Sequence, residues 1–223
     1  MKSYSELKGL SFLETDRAMP LMRLPIRSTI VQLENARVLI SPCSTHTASD
    51  LAAAGDVTDV VAPSLLHADG MRAAAEAHPR ARLWGPRNVD KKVGGLKWHG
   101  IFGVDVWPYE LELQHHVLEG MPSIEETIFF HDATRTLIVS DLAFNIDDAK
   151  GFGAWLILSM FGTYRKFGVS RLFVSRVQDR EKFEKSLERA QTLEFENIVP
   201  GHGSVLLGDA KAKLKKSLQA RGY

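Results

Sequence analysis

The sequence predicts a layered α/β fold. Three observations carry that prediction. Strand-like and helix-like stretches alternate from Ala36 to Trp84, the signature of strands with packed crossover helices. The middle of the chain, from Gly100 to Val139, is rich in Val, Ile, Leu and aromatics and reads as sheet. Three apolar runs each deliver a short polar motif, the place where a rigid scaffold holds functional loops.

Taken in order, residues 1–29 are of mixed polarity, with Pro20 and Pro25, and are expected to form an edge hairpin or an extended arm. Ala36 to Ile40 reads as a buried strand. Thr47-Ala48-Ser49-Asp50 has the form of a capping box, with Asp50 in the usual Glu position. The helix it opens, Leu51 to Ala54, stops at Gly55. Val57 to Ala62 is a strand, Met71 to Ala77 a helix ending before His78-Pro79, and Arg82 to Trp84 a short strand. Gly100 to Pro108 and Glu110 to Leu118 are sheet-like. Thr127 to Phe130 and Thr136 to Val139 flank a hairpin loop at His131 to Arg135. Phe152 to Arg165 is an apolar helix, weakened by Gly153 and Gly162. Arg180 to Ala190 and Ala210 to Gln219 are charged helices on either side of the last strand, Glu196 to Val199. No repeat or linker interrupts the chain, so one domain over residues 1–223 is expected.

Composition excludes several classes of function. The 28 Lys and Arg against 27 Asp and Glu give no electrostatic case for nucleic acid or an anionic membrane as a partner. A small-molecule substrate or ligand is the expected partner. One Cys rules out an internal disulfide framework and suits a reducing, cytoplasmic setting. The N-terminal stretch has no apolar segment of the kind a secretory signal needs. The apolar run from Phe152 to Phe161 is too short to cross a bilayer.

The three motifs are Leu65-Leu66-His67-Ala68-Asp69-Gly70 after Val57 to Ala62, Asp141 closing Thr136 to Ser140, and Pro200-Gly201-His202-Gly203 after Asn197 to Val199. His67, Asp69, Asp141 and His202 are all types that bind a divalent cation. Two-residue spacing lets His67 and Asp69 turn toward one point, and the glycines beside His202 permit close approach. The four side chains either hold one ion or form a hydrogen-bonded cluster.

Order and content of these motifs resemble the metallo-β-lactamase-fold hydrolase superfamily. There a His-x-His-x-Asp-His segment follows a strand, then come a Gly-His-x-Pro-Gly-like turn, an Asp closing a later strand, and a Gly-His loop. The resemblance runs from about Arg37 to His202. Leu65, Gly70 and Met121 stand where the family has His. It implies a four-layer αββα sandwich, two sheets face to face with helices outside. It also implies a divergent member with a degenerate metal-binding motif. Family members hold two metals, and in these terms one site keeps His67 alone while the other keeps Asp69 and His202, with Asp141 shared. The function implied is metal-dependent hydrolysis of an unknown substrate, with one divalent ion (zinc, manganese or iron) or none. His67, Asp69, Asp141 and His202 would be the ligands, with Asp69 and Asp141 as the catalytic pair that holds the ion and activates water. The alternative is a non-catalytic small-molecule-binding protein on the same scaffold. A third reading is a thiol hydrolase using Cys43 with His46. His46, His115 and His116 are candidate substitute ligands; adjacent strand residues face opposite ways, so at most one of the pair His115 and His116 can turn to the site. Phe144, Phe152, Trp155, Leu156, Met160 and Phe161 read as core, as a lid, or as an oligomer contact.

Overall fold

Period-two burial in the strands builds the architecture. In the strand Arg37–Ile40 the side chains of Val38 and Ile40 join one core cluster and Leu39 joins another, because successive strand residues face opposite sides. The structure is a computed structural model and describes residues 1–149 and 151–223. Among these, seven strands form one sheet in sequential order: β1 (Lys2–Ser3), β2 (Leu10–Met19), β3 (Met22–Gln32), β4 (Arg37–Ile40), β5 (Asp59–Val61), β6 (Arg82–Gly85) and β7 (Gly100–Ile101). Pairing is antiparallel from β1 to β4 and parallel from β4 to β7. The second sheet holds β8 (Leu113–Val117), β9 (Thr127–His131), β10 (Thr136–Asn145) and β11 (Asn197–Gly203) in the order β11-β10-β9-β8, with β10 and β11 parallel.

The sheets pack face to face. Phe12, Val31, Val38, Ile40, Val61 and Trp84 from the first meet Leu113, Phe129, Ile138 and Val199 from the second. Each fully buried side chain of this size contributes about 1.5–3 kcal/mol. On the far face of the first sheet lie α1 (Ala48–Ala52) and α2 (Met71–Ala77), with Leu51, Met71 and Ala74 packed on Leu39, Val60 and Leu83. On the far face of the second lie α6 (Arg180–Gln191) and α7 (Ala210–Gln219), with Phe183, Leu187, Leu214 and Leu218 packed on Leu137, Val139 and Ile198. The result is the expected αββα sandwich. In α6 the buried residues Phe183, Ser186, Leu187 and Ala190 follow helical spacing, and the opposite face carries the i,i+4 pairs Arg180–Glu184 and Glu181–Lys185.

The Thr47 capping box forms, with Asp50 N–H donating to the Thr47 hydroxyl and Thr47 N–H to the Asp50 carboxylate, but α1 starts at Ala48 rather than Leu51. Helices α2 and α7 occupy the expected spans. Three further differences are physical. Of the expected strand from Gly100 to Pro108, Gly100 and Ile101 pair, and the chain then turns at Gly103 (φ 75°). Strand β10 does not stop at Asp141 but runs to Asn145, with its register to β11 broken between Val139 and Phe144. Two short helices, α3 (Val89–Lys92) and α5 (Arg171–Val174), were not expected, being too short for a periodic signal. The apolar helix α4 (Phe152–Phe161) ends at Gly162, which takes a left-handed conformation. Among the described residues no helix is long and apolar enough to cross a membrane.

Candidate metal centre

The break in the β10–β11 register places Asp141. Residues 140–142 leave the sheet ladder, so their N–H groups need another acceptor. Glu126, fully buried just before β9, supplies it: its carboxylate accepts from Ser140 N (2.7 Å), Asp141 N (3.0 Å) and Leu142 N (3.3 Å). Burial and the nearby Asp141 charge push the Glu126 carboxyl up to about 7, against the pull of the backbone donors. This clamp was not foreseen in the sequence. Its one signal is a Glu flanking the apolar run Thr127 to Phe130, where a charged group needs a partner.

Two imidazoles converge on Asp141. His67 Nε2 lies 3.3 Å from Oδ2, and His202 Nε2 lies 3.4 Å from Oδ1. One ligand atom from each of the three residues can be chosen so that all lie within 4.8 Å of one another. Each ring is oriented from behind. His67 Nδ1 meets the Ser41 hydroxyl at 2.7 Å, and Ser41 itself sits in a left-handed backbone conformation (φ 60°) at the end of β4. His202 Nδ1 must donate to the carbonyl of Pro25 (2.8 Å), which turns its Nε2 toward Asp141. The His202 ring also stacks on Phe144, with 5.0 Å between centroids and 7° between planes. Gly201 allows the approach: a Cβ there would lie 3.0 Å from Ser140 O and 3.1 Å from His67 Cε1. At Gly203 (φ 90°) a Cβ would lie 2.1 Å from Asn145 O.

The electrostatics centre on the Asp141 charge. Burial opposes ionisation of Asp141, yet His67 and His202 outweigh it and hold the carboxyl well below the usual range. Burial likewise opposes the charged form of His67, and Asp141 outweighs it, so the imidazole is raised. Asp141 Oδ2 is nevertheless buried without a hydrogen-bond partner among the described residues, because His67 approaches it outside hydrogen-bonding geometry. Two donors on one tetrahedral zinc, each at about 2.0–2.1 Å, stand about 3.3 Å apart. The separations of 3.3 and 3.4 Å, each to a different oxygen of Asp141, are close to that edge. Donor type, spacing and the orphaned oxygen all fit a divalent ion.

Asp69 lies outside this group. It lines the same cavity, about 160 Å³ in volume, but its Oδ2 is bound by the Arg17 guanidinium of β2 and by Ser44 Oγ (2.7 Å). Arg17 also reaches Cys43 Sγ at 3.3 Å. The candidate substitutes point elsewhere. His46 is buried against Ser28 Oγ (2.7 Å), whose proton goes to the Ser41 carbonyl, so His46 Nε2 is the donor. Burial lowers the His46 imidazole. His115 pairs with Glu110 and lies against Phe102. His116 is half-buried at the β8 edge, and neither it nor His115 lines the cavity. The apolar residues after Asp141 divide: Ala154 and Leu158 pack on Met22 and Leu24 of the hairpin, while Phe152, Trp155, Leu156 and Met160 are exposed.

Residues at the three remaining motif positions are packed. Met121 is buried in the core beneath α6, and Leu65 packs beside α2. At Gly70 a Cβ would lie 2.4 Å from Pro42 C and O.

The architecture is similar to that of several solved structures. A metallo-β-lactamase from Pontibacter korlensis matches with a TM-score of 0.66 at 14% identity, over 98% of this chain and 97% of that one. A metallo-β-lactamase from Erythrobacter litoralis matches at 0.64 and 12% identity, over 97% and 90%. A flavoprotein from Thermotoga maritima matches at 0.64 and 14% identity, over 94% of this chain and 57% of that one. The chain therefore has the metallo-β-lactamase fold. No family model and no curated protein matches it at the level of sequence.

Proposed function

We propose that the chain is a metal-dependent hydrolase of the metallo-β-lactamase type with an eroded site, working with one divalent ion on a small-molecule substrate in the cytoplasm. The single observation that carries this reading is Asp141 between two imidazoles fixed from behind, its buried Oδ2 without a hydrogen bond among the described residues. A buried acceptor without a donor is costly, by about 1–3 kcal/mol, and a bound cation removes that cost.

His67, Asp141 and His202 would hold the ion; zinc, manganese and iron all suit two imidazoles and a carboxylate. When bound, such an ion polarises a carbonyl or phosphoryl oxygen and lowers the pKa of water. The chain's residues do the rest. Ser41 and the Pro25 carbonyl fix the ring orientations. Glu126 fixes the backbone that carries Asp141. Asp69, on the same cavity wall, would orient an attacking water. The cavity favours this reading over the non-catalytic binder. At about 160 Å³ it accepts an ion, water and a reacting group, whereas pockets that bury a whole organic ligand run to about 300–1,000 Å³.

Elemental analysis of protein purified without chelator tests the proposal. Near-stoichiometric zinc, manganese or iron, lost in Asp141→Ala and in His202→Ala, is expected, together with chelator-sensitive hydrolysis in a panel of thioesters, lactams, lactones and phosphodiesters. A metal-free protein whose melting temperature ignores added cations would overturn it.

A further inference from the structure

Arg17 joins two potential metal ligands on the cavity wall. Its Nη2 contacts both the Asp69 carboxylate and the Cys43 thiol, a carboxylate and a sulfur on the wall that also carries His67, Asp141 and His202. Carboxylate oxygen and thiolate sulfur are two of the donors zinc takes. The guanidinium comes from β2, in the N-terminal hairpin, far along the chain from the residues it joins. The ion pair is open to solvent, with side chains 35% and 38% exposed. Pairs of that kind add about 0–1 kcal/mol to stability, so stability alone is a poor reason for it.

We propose that Arg17 is a resident cation standing in for a second metal ion: it ties up Asp69 and Cys43 and so limits the cavity to the single ion of His67, Asp141 and His202. The inference rests on the metal reading above. Charge supports it. Asp69 and Asp141 place two carboxylates on one small cavity, and Arg17 neutralises one of them, leaving one for an ion. An arginine cannot lose its proton, so it holds this place at any ordinary pH. With the guanidinium gone, Asp69 and Cys43 are free to bind a cation; the thiol proton is released to solvent as the thiolate takes the ion.

The test uses the full chain, wild type and Arg17→Ala, stripped with chelator and titrated with zinc or cobalt(II). Wild type should take one ion per chain, with no thiolate-to-cobalt charge-transfer band. Arg17→Ala should take two, with that band present, and should melt within about 2–4 °C of wild type when metal-free. Arg17→Ala/Cys43→Ser should lose the band, and Asp69→Asn alone should leave the wild-type affinity within about twofold. A wild type that takes two ions or shows the band overturns the inference, because the ion then displaces Arg17. So does an Arg17→Ala protein that still takes one ion without the band. A wild type without metal but an Arg17→Ala protein with the band sinks the single-ion reading while leaving Arg17 as the excluding group. No ion in either protein sinks both.

Discussion

Two corners of the motif, one lining the cavity and one packed away from it, have opposite character. His67, Asp141 and His202 meet with polar atoms facing one another, each held by a partner behind it. Leu65, Gly70 and Met121, at the positions where the resemblance would place three more His ligands, are packed into cores or pressed against backbone. The comparison separates two ways of lacking a ligand. A ligand merely absent leaves polar space that solvent fills. Here the lost corner is occupied: by methionine in the core under α6, and by the Pro42–Cys43 backbone against Gly70.

The largest expected effect lies in the polar corner. Asp141→Ala removes the carboxylate shared by both imidazoles and should weaken metal affinity by about a thousandfold, around 4 kcal/mol, in a competitive chelator titration. A loss under tenfold would move the ion elsewhere. Next, the packed corner should resist repair. Gly70→Ala puts a Cβ where backbone already lies, and chemical denaturation should show a loss of about 3 kcal/mol. A Gly70→Ala protein as stable as wild type would mean that this corner is open after all. Ser41→Ala, which removes the group orienting His67, should cost about tenfold in metal affinity and about 1–3 kcal/mol in metal-free stability, because it leaves the buried His67 Nδ1 unpaired.

The smallest effect is in pH. Because Asp141 raises the His67 imidazole, the pair contributes stability to the chelated protein that is complete below the ordinary imidazole value of 6.5 and fades as pH rises through the raised folded value. Relative to His67→Gln, the chelated wild type should therefore lose melting temperature on the alkaline side of neutrality. A flat difference between the two proteins across that range would show that the pair carries no such charge.

Much of this was legible in the residues. The Thr47 box, the spans of α2 and α7, and the hairpin at His131 to Arg135 follow from local rules that tertiary contacts did not override. The meeting of His67, Asp141 and His202 was legible because each follows an apolar run that becomes a strand of the sandwich. What escaped was long-range and partly made of backbone. Asp69 is diverted by Arg17, 52 residues away, on a hairpin whose place in the first sheet no local pattern encodes. The Pro25 carbonyl that fixes His202 has no side-chain signature at all. Glu126 escaped because its role depends on a register break in β10, and the run Thr136 to Ser140, closed by Asp141, shows no such break until its hydrogen bonds are traced.

One measurement bears most directly on the central claim: anomalous diffraction from crystals of wild-type protein grown or soaked with zinc. The account predicts one peak per chain, about 2.0–2.2 Å from His67 Nε2, His202 Nε2 and an Asp141 oxygen, with Arg17 still on Asp69. A peak bound instead by Asp69 and Cys43, or a cluster that stays empty at saturating zinc, would contradict it.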